Sequence, residues 1–366
     1  MTKERADILC LCTPHGVGGA QNNAGRLTKA FRERGYNAQL GFLFEREPDY
    51  YHEIEDFFVV YYKLPSGPRE WSAFLNRCRV EIAGRRPRVT LGFHPLANII
   101  GALNTGWAGR FYSRQAWPRD QQSSGTEKLE TLLTRTPLVS GNIACSYFVK
   151  NSFTHRGKAY EKKTSVIYNE PPKLPEVDED KVACQTHFGM THGTPVLGTL
   201  GRLHEQKNFQ LAIRAMPYVA EGHLYMAGGG PQEEMLRRLA SECGVEDRVH
   251  FLGPLRGADV TRFLKAVDLL LMTSIYEGHP LVMLEAMSAG APVLAHDVEV
   301  MREAGGNAAV YASSDPGDWG RKIHSLGPER LEKIAEDGRA RADEFASSSM
   351  VESYLSALGL PLHREK

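Results

Sequence analysis

The sequence predicts an α/β fold built from two doubly wound parallel sheets of Rossmann-like type, one in each half of its 366 residues. Short apolar runs of strand length alternate with helix-period segments almost throughout. The glycine-rich loops follow strands, at the ends where open parallel sheets bind ligands. One cluster, Asn169-Glu-Pro-Pro-Lys-Leu-Pro175, breaks the alternation, and three prolines in five residues exclude both helix and central strand there. A first domain over 1–168 and a second beginning at 169 are therefore expected, each long enough to bury its own core.

In the first half the strand segments are 8–12, 39–44, 57–62, 89–93, 110–113, 138–145 and 165–168. The first, Ile8-Leu-Cys-Leu-Cys12, is continuously apolar, as in a strand buried on both faces. Cys10 and Cys12, two apart, share one face as core residues. The loop Thr13-Pro-His-Gly-Val-Gly-Gly-Ala-Gln21 follows, with a helix over 23–34 opening near Asn22; its glycines permit positive φ and close backbone approach. Helical character over 69–88 carries Arg77, Arg79, Arg85, Arg86 and Arg88 together with Trp71, Phe74 and Leu75. In the second half the strands are 196–200, 224–227, 249–252, 269–274, 293–295 and 309–311, separated by helices such as 208–219, 232–243 and 259–266. The run Met226-Ala-Gly-Gly-Gly-Pro231 calls for close backbone packing, ligand approach or a tight turn.

No apolar run follows Met1-Thr-Lys-Glu-Arg-Ala-Asp7, so no signal peptide is expected, and nothing approaches the ~20 apolar residues of a membrane span. A cytoplasmic protein is the expectation. Six cysteines without zinc-ligand spacing read as reduced thiols. The net charge is zero, yet residues 1–168 carry 24 Lys/Arg against 15 Asp/Glu, and the remainder 20 against 29. Two readings of this asymmetry stand: an anionic partner for the first half, such as an acidic acceptor or the inner face of a membrane, or attraction between two domains of opposite sign across their cleft. The helix over 69–88 likewise reads either as a peripheral membrane contact or, more commonly, as a plain amphipathic surface helix.

The chemistry concentrates in Met272-Thr-Ser-Ile-Tyr-Glu-Gly-His-Pro-Leu-Val-Met-Leu-Glu-Ala-Met-Ser-Ala-Gly-Ala-Pro292, which carries Glu277 and Glu285 eight positions apart. A strand leads into it, and a helix over 281–289 closes at Gly290. Pro280 suits the first helical position. The amides of Leu281 and Val282 are then free to meet an anion at the helix start. One carboxylate in the loop and one a turn inside the helix suit a sugar on one side of a diphosphate and a ribose on the other. Strand–loop–helix units also carry glutamate pairs as surface residues; Glu-Gly-His-Pro and the strand Pro292-Val-Leu-Ala-His296 straight after set this one apart.

This segment resembles the glutamate-pair motif of retaining glycosyltransferases of the GT-B fold, the family-four group that uses nucleotide-diphosphate sugars. The likeness spans the chain. Val196-Leu-Gly-Thr-Leu-Gly-Arg-Leu-His-Glu-Gln-Lys-Asn208 is similar to the family's Gly-Arg-Leu…Lys element, with Arg202 and Lys207 in the matching places. Gly18 and Gly19 match the Gly-Gly loop that closes over the donor, and Leu252 the segment whose backbone reads the base. Phe345-Ala-Ser-Ser-Ser-Met350-Val-Glu-Ser-Tyr354 resembles the terminal helix that crosses back to the first domain, which places the second domain at 169–340 and the returning segment at 341–366.

The resemblance implies two sheets facing across a cleft and front-face transfer with retention, the donor's own phosphate oxygen taking the acceptor proton. Glu277 would orient donor-sugar hydroxyls and Glu285 hold the ribose. Arg202, Lys207 and the amides of Leu281 and Val282 would stabilise the leaving diphosphate, with His279 beside the donor. No cofactor and no metal are expected, and no Asp-x-Asp motif is present. On the acceptor side, His94 in Gly92-Phe-His-Pro95 reads equally as a ligand contact or a satisfied structural histidine. Many relatives place a histidine where this chain has Arg114-Gln115; Gln115 can donate to a sugar hydroxyl but cannot carry a proton. The expected partners are a nucleotide sugar, UDP-linked first, and a glycan, glycolipid or small-molecule acceptor, with no nucleic acid. Rival readings are a catalytically silent nucleotide-sugar-binding protein, or a phosphorylase, hydrolase or epimerase on the same fold.

Overall fold

The computed structural model describes residues 5–15, 19–45, 56–105, 109–118, 124–347 and 349–363. Two compact units form: one runs up to Asn169 and resumes at Ser349, the other runs from Glu170 to Ser348.

Unit 1 holds β1 (Ile8–His15), β2 (Ala38–Glu45), β3 (Phe57–Tyr61), β4 (Val89–Phe93), β5 (Arg110–Gln115), β6 (Gly141–Ala144) and β7 (Thr164–Val166). They make one parallel sheet in the order β3-β2-β1-β4-β5-β6-β7. β1 shows why its sequence is continuously apolar. Ile8, Cys10 and Cys12 pack on Leu27 and Phe31, while Leu9 and Leu11 pack on Phe74, Cys78 and Ile82 on the opposite face. Each such burial contributes about 1.5–3 kcal/mol. All six cysteines are free thiols.

The segment resuming at Ser349 completes this core. Ser349 caps the helix Met350–Ala357 through its side chain, and Met350, Val351, Tyr354, Leu355, Leu358 and Leu360 join the Ile8 cluster. The returning element was expected from 341. Residues 341–347 instead continue the helix Pro328–Ser347 of unit 2, which packs on the helix Leu281–Ala289. The basic helix, Pro68–Arg85, ends where Arg86 turns left-handed at φ 41°. Phe74 is fully buried, and Trp71 packs edge-on against it at 5.5 Å, so of the three apolar residues noted there only Leu75 is exposed. No helix among the described residues is long and apolar enough to cross a membrane.

Unit 2 holds β8 (Val196–Leu200), β9 (His223–Ala227), β10 (Val249–Gly253), β11 (Leu269–Met272), β12 (Val293–His296) and β13 (Val310–Ala312), parallel in the order β10-β9-β8-β11-β12-β13. The helix expected over 208–219 is Phe209–Ala215 followed by a tight turn Met216–Tyr218, because Pro217 cannot donate to a continuing helix. In both sheets the chain builds outward in one direction and then returns to the other side of its first strand. The resulting switch points lie between β1 and β4 and between β8 and β11, and the crevice beyond the strand ends at such a point is where ligands bind.

Candidate functional site

The loops that leave β8 and β11 flank the switch point of unit 2, and hydrogen bonds sew them together. The Thr273 hydroxyl donates to the Lys207 carbonyl at 2.7 Å, and the Ile275 amide to the Gln206 carbonyl at 2.9 Å. The Gln206 side-chain amide donates to the Tyr276 carbonyl at 3.0 Å and to Glu277 Oε2 at 3.2 Å. Lys207 Nζ completes the seam at 2.7 Å from Glu277 Oε1. From below, His296 Nδ1 donates to the Ser274 carbonyl at 3.2 Å, which leaves Nε2 to accept from the Ser314 hydroxyl at 2.9 Å. Residues some seventy positions apart are thereby fixed in one rigid constellation.

Glu277 is 7% exposed, and its ion pair offsets the cost of burying a carboxylate. Arg202, in the same loop as Lys207, is exposed and makes no ion pair among the described residues. The glycines after β9 hold this loop from behind. A Cβ on Gly228, at φ 148°, would lie 1.8 Å from the Gly201 carbonyl oxygen, and one on Gly230 would lie 2.4 Å from that of Leu203. Backbone bonds from Gly201 N–H to Ala227 C=O and from Leu203 N–H to Gly229 C=O, 2.9 and 3.0 Å, continue the contact. Close backbone packing is thus the role of Gly228 and Gly230.

The helix start differs from expectation in one respect. Pro280 stands before the helix, at φ −78° and ψ 80°, as the centre of an inverse γ-turn in which the Leu281 amide donates to the His279 carbonyl at 2.9 Å. The Leu281 amide is therefore engaged, and of the two amides expected to be free only that of Val282 has no partner among the described residues. Glu285 lies half-buried on this helix. His279 is buried with its ring edge-on to Phe345 at 5.1 Å. Leu252 sits where β10 slips register between Phe251 and Gly253, so its backbone leaves the ladder with β9. Among the described residues no group of three or more His, Cys, Asp or Glu is placed to hold a metal ion.

Unit 1 presents the other candidates. Gly18 lies outside the described residues. Gly19 opens the helix Gly19–Glu33, exposed, with nothing within 4 Å of where a Cβ would stand. His94 directly follows β4, at φ 89°, with Nδ1 buried and unpartnered. Burial pushes its pKa down to about 4, and the Arg114 charge adds to that fall. Gln115 is 2% exposed; Oε1 accepts from the Tyr160 hydroxyl at 2.7 Å, and Nε2 has no partner. Its neighbour Arg114 points to the opposite face of the sheet. There Nε donates to the Tyr354 hydroxyl at 2.8 Å, and Nη2 bonds Asn169 Oδ1, which also accepts from Asn23 Nδ2 at 2.8 Å. Arg114 therefore ties the returning helix to the end of the unit and does not stand beside Gln115. Sequence reasoning passed over Gln206, Thr273 and Tyr160. Only Gln206 carried a signal, its position directly before Lys207.

A family model described as "Glycosyl transferases group 1" matches residues 194–327. The chain is 34% identical over 150 residues to the uncharacterized glycosyltransferase MJ1607 of Methanocaldococcus jannaschii, a match covering 39% of this chain and 38% of that protein. Over 167 residues it is 30% identical to the D-inositol 3-phosphate glycosyltransferase of Mycobacterium sp. strain KMS, covering 43% and 38%. The matched stretch thus spans well under half of each relative. Among solved structures, HepE of Anabaena in complex with UDP superposes at a TM-score of 0.83 with 20% identity, covering 96% of this chain and 99% of that one. HepE has also been solved with UDP-glucose.

Proposed function

From a chain that carries a group 1 glycosyltransferase domain on a GT-B fold, we propose an enzyme that moves a sugar, with retention, from a UDP-sugar donor to an acceptor hydroxyl, without a metal. The observation that carries this reading is the constellation of Lys207 and Glu277 at the switch point of unit 2, with Arg202 unpaired in the same loop. The bond from the anomeric carbon to the donor phosphate breaks as the acceptor oxygen bonds the same face of that carbon. The acceptor proton passes to the departing phosphate oxygen. Charge grows on the diphosphate as it leaves; Lys207, Arg202 and the Val282 amide meet it there, already oriented. Glu277 receives donor-sugar hydroxyls and Glu285 the ribose diol. The Gly18–Gly19 loop, His279 and Leu252 complete the donor contacts. His94 and Gln115 serve the acceptor, a glycan, a lipid-linked sugar or a small molecule.

The UDP and UDP-glucose bound to HepE make uridine nucleotides the first probes. Calorimetric titration with UDP and with GDP, both in EDTA, is expected to show UDP binding that Glu285→Ala abolishes. GDP binding in its place redirects the donor class; binding of neither removes the donor-site reading, whereas binding without transfer favours the silent nucleotide-sugar-binding protein. Lys207→Ala is expected to lose about 3 kcal/mol of transition-state stabilisation, a 10²–10³-fold fall in turnover. Near-normal turnover in that variant sinks the assignment.

A further inference from the structure

One side chain joins the two loops of the site without belonging to any motif. Gln206 has two side-chain N–H groups, and both are used, one on the Tyr276 carbonyl at 3.0 Å and one on Glu277 Oε2 at 3.2 Å. Because a carbonyl faces it, the amide nitrogen is the atom at that position, and its orientation is settled by chemistry. Lys207 holds the other carboxylate oxygen at 2.7 Å. Glu277 is thus gripped at both oxygens by consecutive residues of one loop.

An ionised carboxylate offers about four lone-pair directions. Here two are occupied and two remain. A lysine alone is a point charge on a flexible stem and leaves the carboxylate free to swivel; the second grip fixes its plane. We infer that Gln206 is a positioning residue: it sets the Glu277 carboxylate so that its two open directions meet adjacent hydroxyls of the donor sugar. The inference rests on the donor reading above and names its ligand class, a sugar with two neighbouring free hydroxyls. In that reading Lys207, Arg202 and the Val282 amide meet the diphosphate and Glu285 the ribose, whereas the Gln206 side chain touches only the Tyr276 carbonyl and Glu277, so it acts through Glu277 on the sugar end of the donor.

The test compares UDP with UDP-glucose by calorimetry on the full chain, in wild type, Gln206→Leu and Gln206→Glu. Gln206→Leu keeps the size of the side chain, removes its two hydrogen bonds and leaves Lys207 in place; it is expected to leave UDP affinity within about twofold and to weaken UDP-glucose about tenfold. Retained UDP binding also reports that unit 2 is folded. Gln206→Glu sets a second carboxyl against Glu277, and like charges at this distance raise one pKa. UDP-glucose affinity in that variant is expected to fall as pH rises from 5 to 8, while UDP affinity does not. The Gln206 backbone N–H donates to His204 Nδ1 at 3.5 Å, and the wild-type pH profile subtracts whatever the groups around the loop contribute in common. Equal weakening of UDP and UDP-glucose in Gln206→Leu, or identical pH profiles for Gln206→Glu and wild type, overturns the inference and leaves the donor reading standing. Wild type that binds neither nucleotide overturns both.

Discussion

His94 holds a left-handed conformation, φ 89°, that costs a residue with a Cβ about 1–3 kcal/mol, and it does so beside the switch point of unit 1. Its pKa lies near 4 in the folded protein against roughly 6.5 in the unfolded chain. The unfolded chain therefore takes the proton first. The stability gained by keeping the ring neutral is complete above about pH 6.5 and is lost as pH falls toward 4. With the ring partly solvated, the loss is about 1–2 kcal/mol. His94→Asn, which tolerates positive φ, is expected to flatten melting temperature against pH across that window; parallel curves for variant and wild type refute it. At this scale the sequence singled out Lys207 and Glu277 by charge and motif, and the structure brings the two together. The sequence was illegible at Tyr160 and gave only a position beside Lys207 for Gln206, because the roles of both are set by partners far along the chain. Arg114 and Gln115 part ways for a reason the sequence contains, since adjacent strand residues face opposite sides of a sheet.

Elements were read more fully than residues. Each of the thirteen expected strand segments coincides with or overlaps an observed strand, because buried parallel strands announce themselves as apolar runs. Loops are harder, since one sequence feature serves several geometries. The three glycines after β9 allowed three explanations, and only the backbone of a second loop lying against them decides the matter. That contact makes a matched pair of variants. Gly228→Ala forces a Cβ against the Gly201 carbonyl and is expected to cost about 3 kcal/mol or more and to displace Arg202 and Lys207. Gly229→Ala meets only Pro254, at an ordinary 3.7 Å, and is expected to be near neutral. Chemical denaturation together with UDP titration reads both. Equal stability of the two proteins refutes backbone contact as the reason for glycine.

For the molecule as a whole, the division near Asn169 was visible in a run of prolines, whereas the return of residues 349–363 was visible only through family resemblance. Nothing in the composition of that segment says which core it joins. Its six buried side chains from Met350 to Leu360 make it indispensable to unit 1. Leu355→Ala alone is expected to cost about 2–5 kcal/mol. Ending the chain at Ser348 removes all six burials, on the order of 9–18 kcal/mol, as much as the 5–15 kcal/mol by which a domain is usually stable. Hydrogen exchange on the shortened chain is expected to show residues 5–169 unprotected and 170–347 protected; protection throughout refutes the dependence. The same feature governs order in time. On the ribosome a domain normally closes before the next one is made. Here the half begun first must wait, its hydrophobic face uncovered, through synthesis of the whole second half, about 10–40 s at roughly 5–20 residues per second. The unit translated first is the last to be finished, and a nascent chain of this architecture leans on chaperones at its beginning rather than at its end.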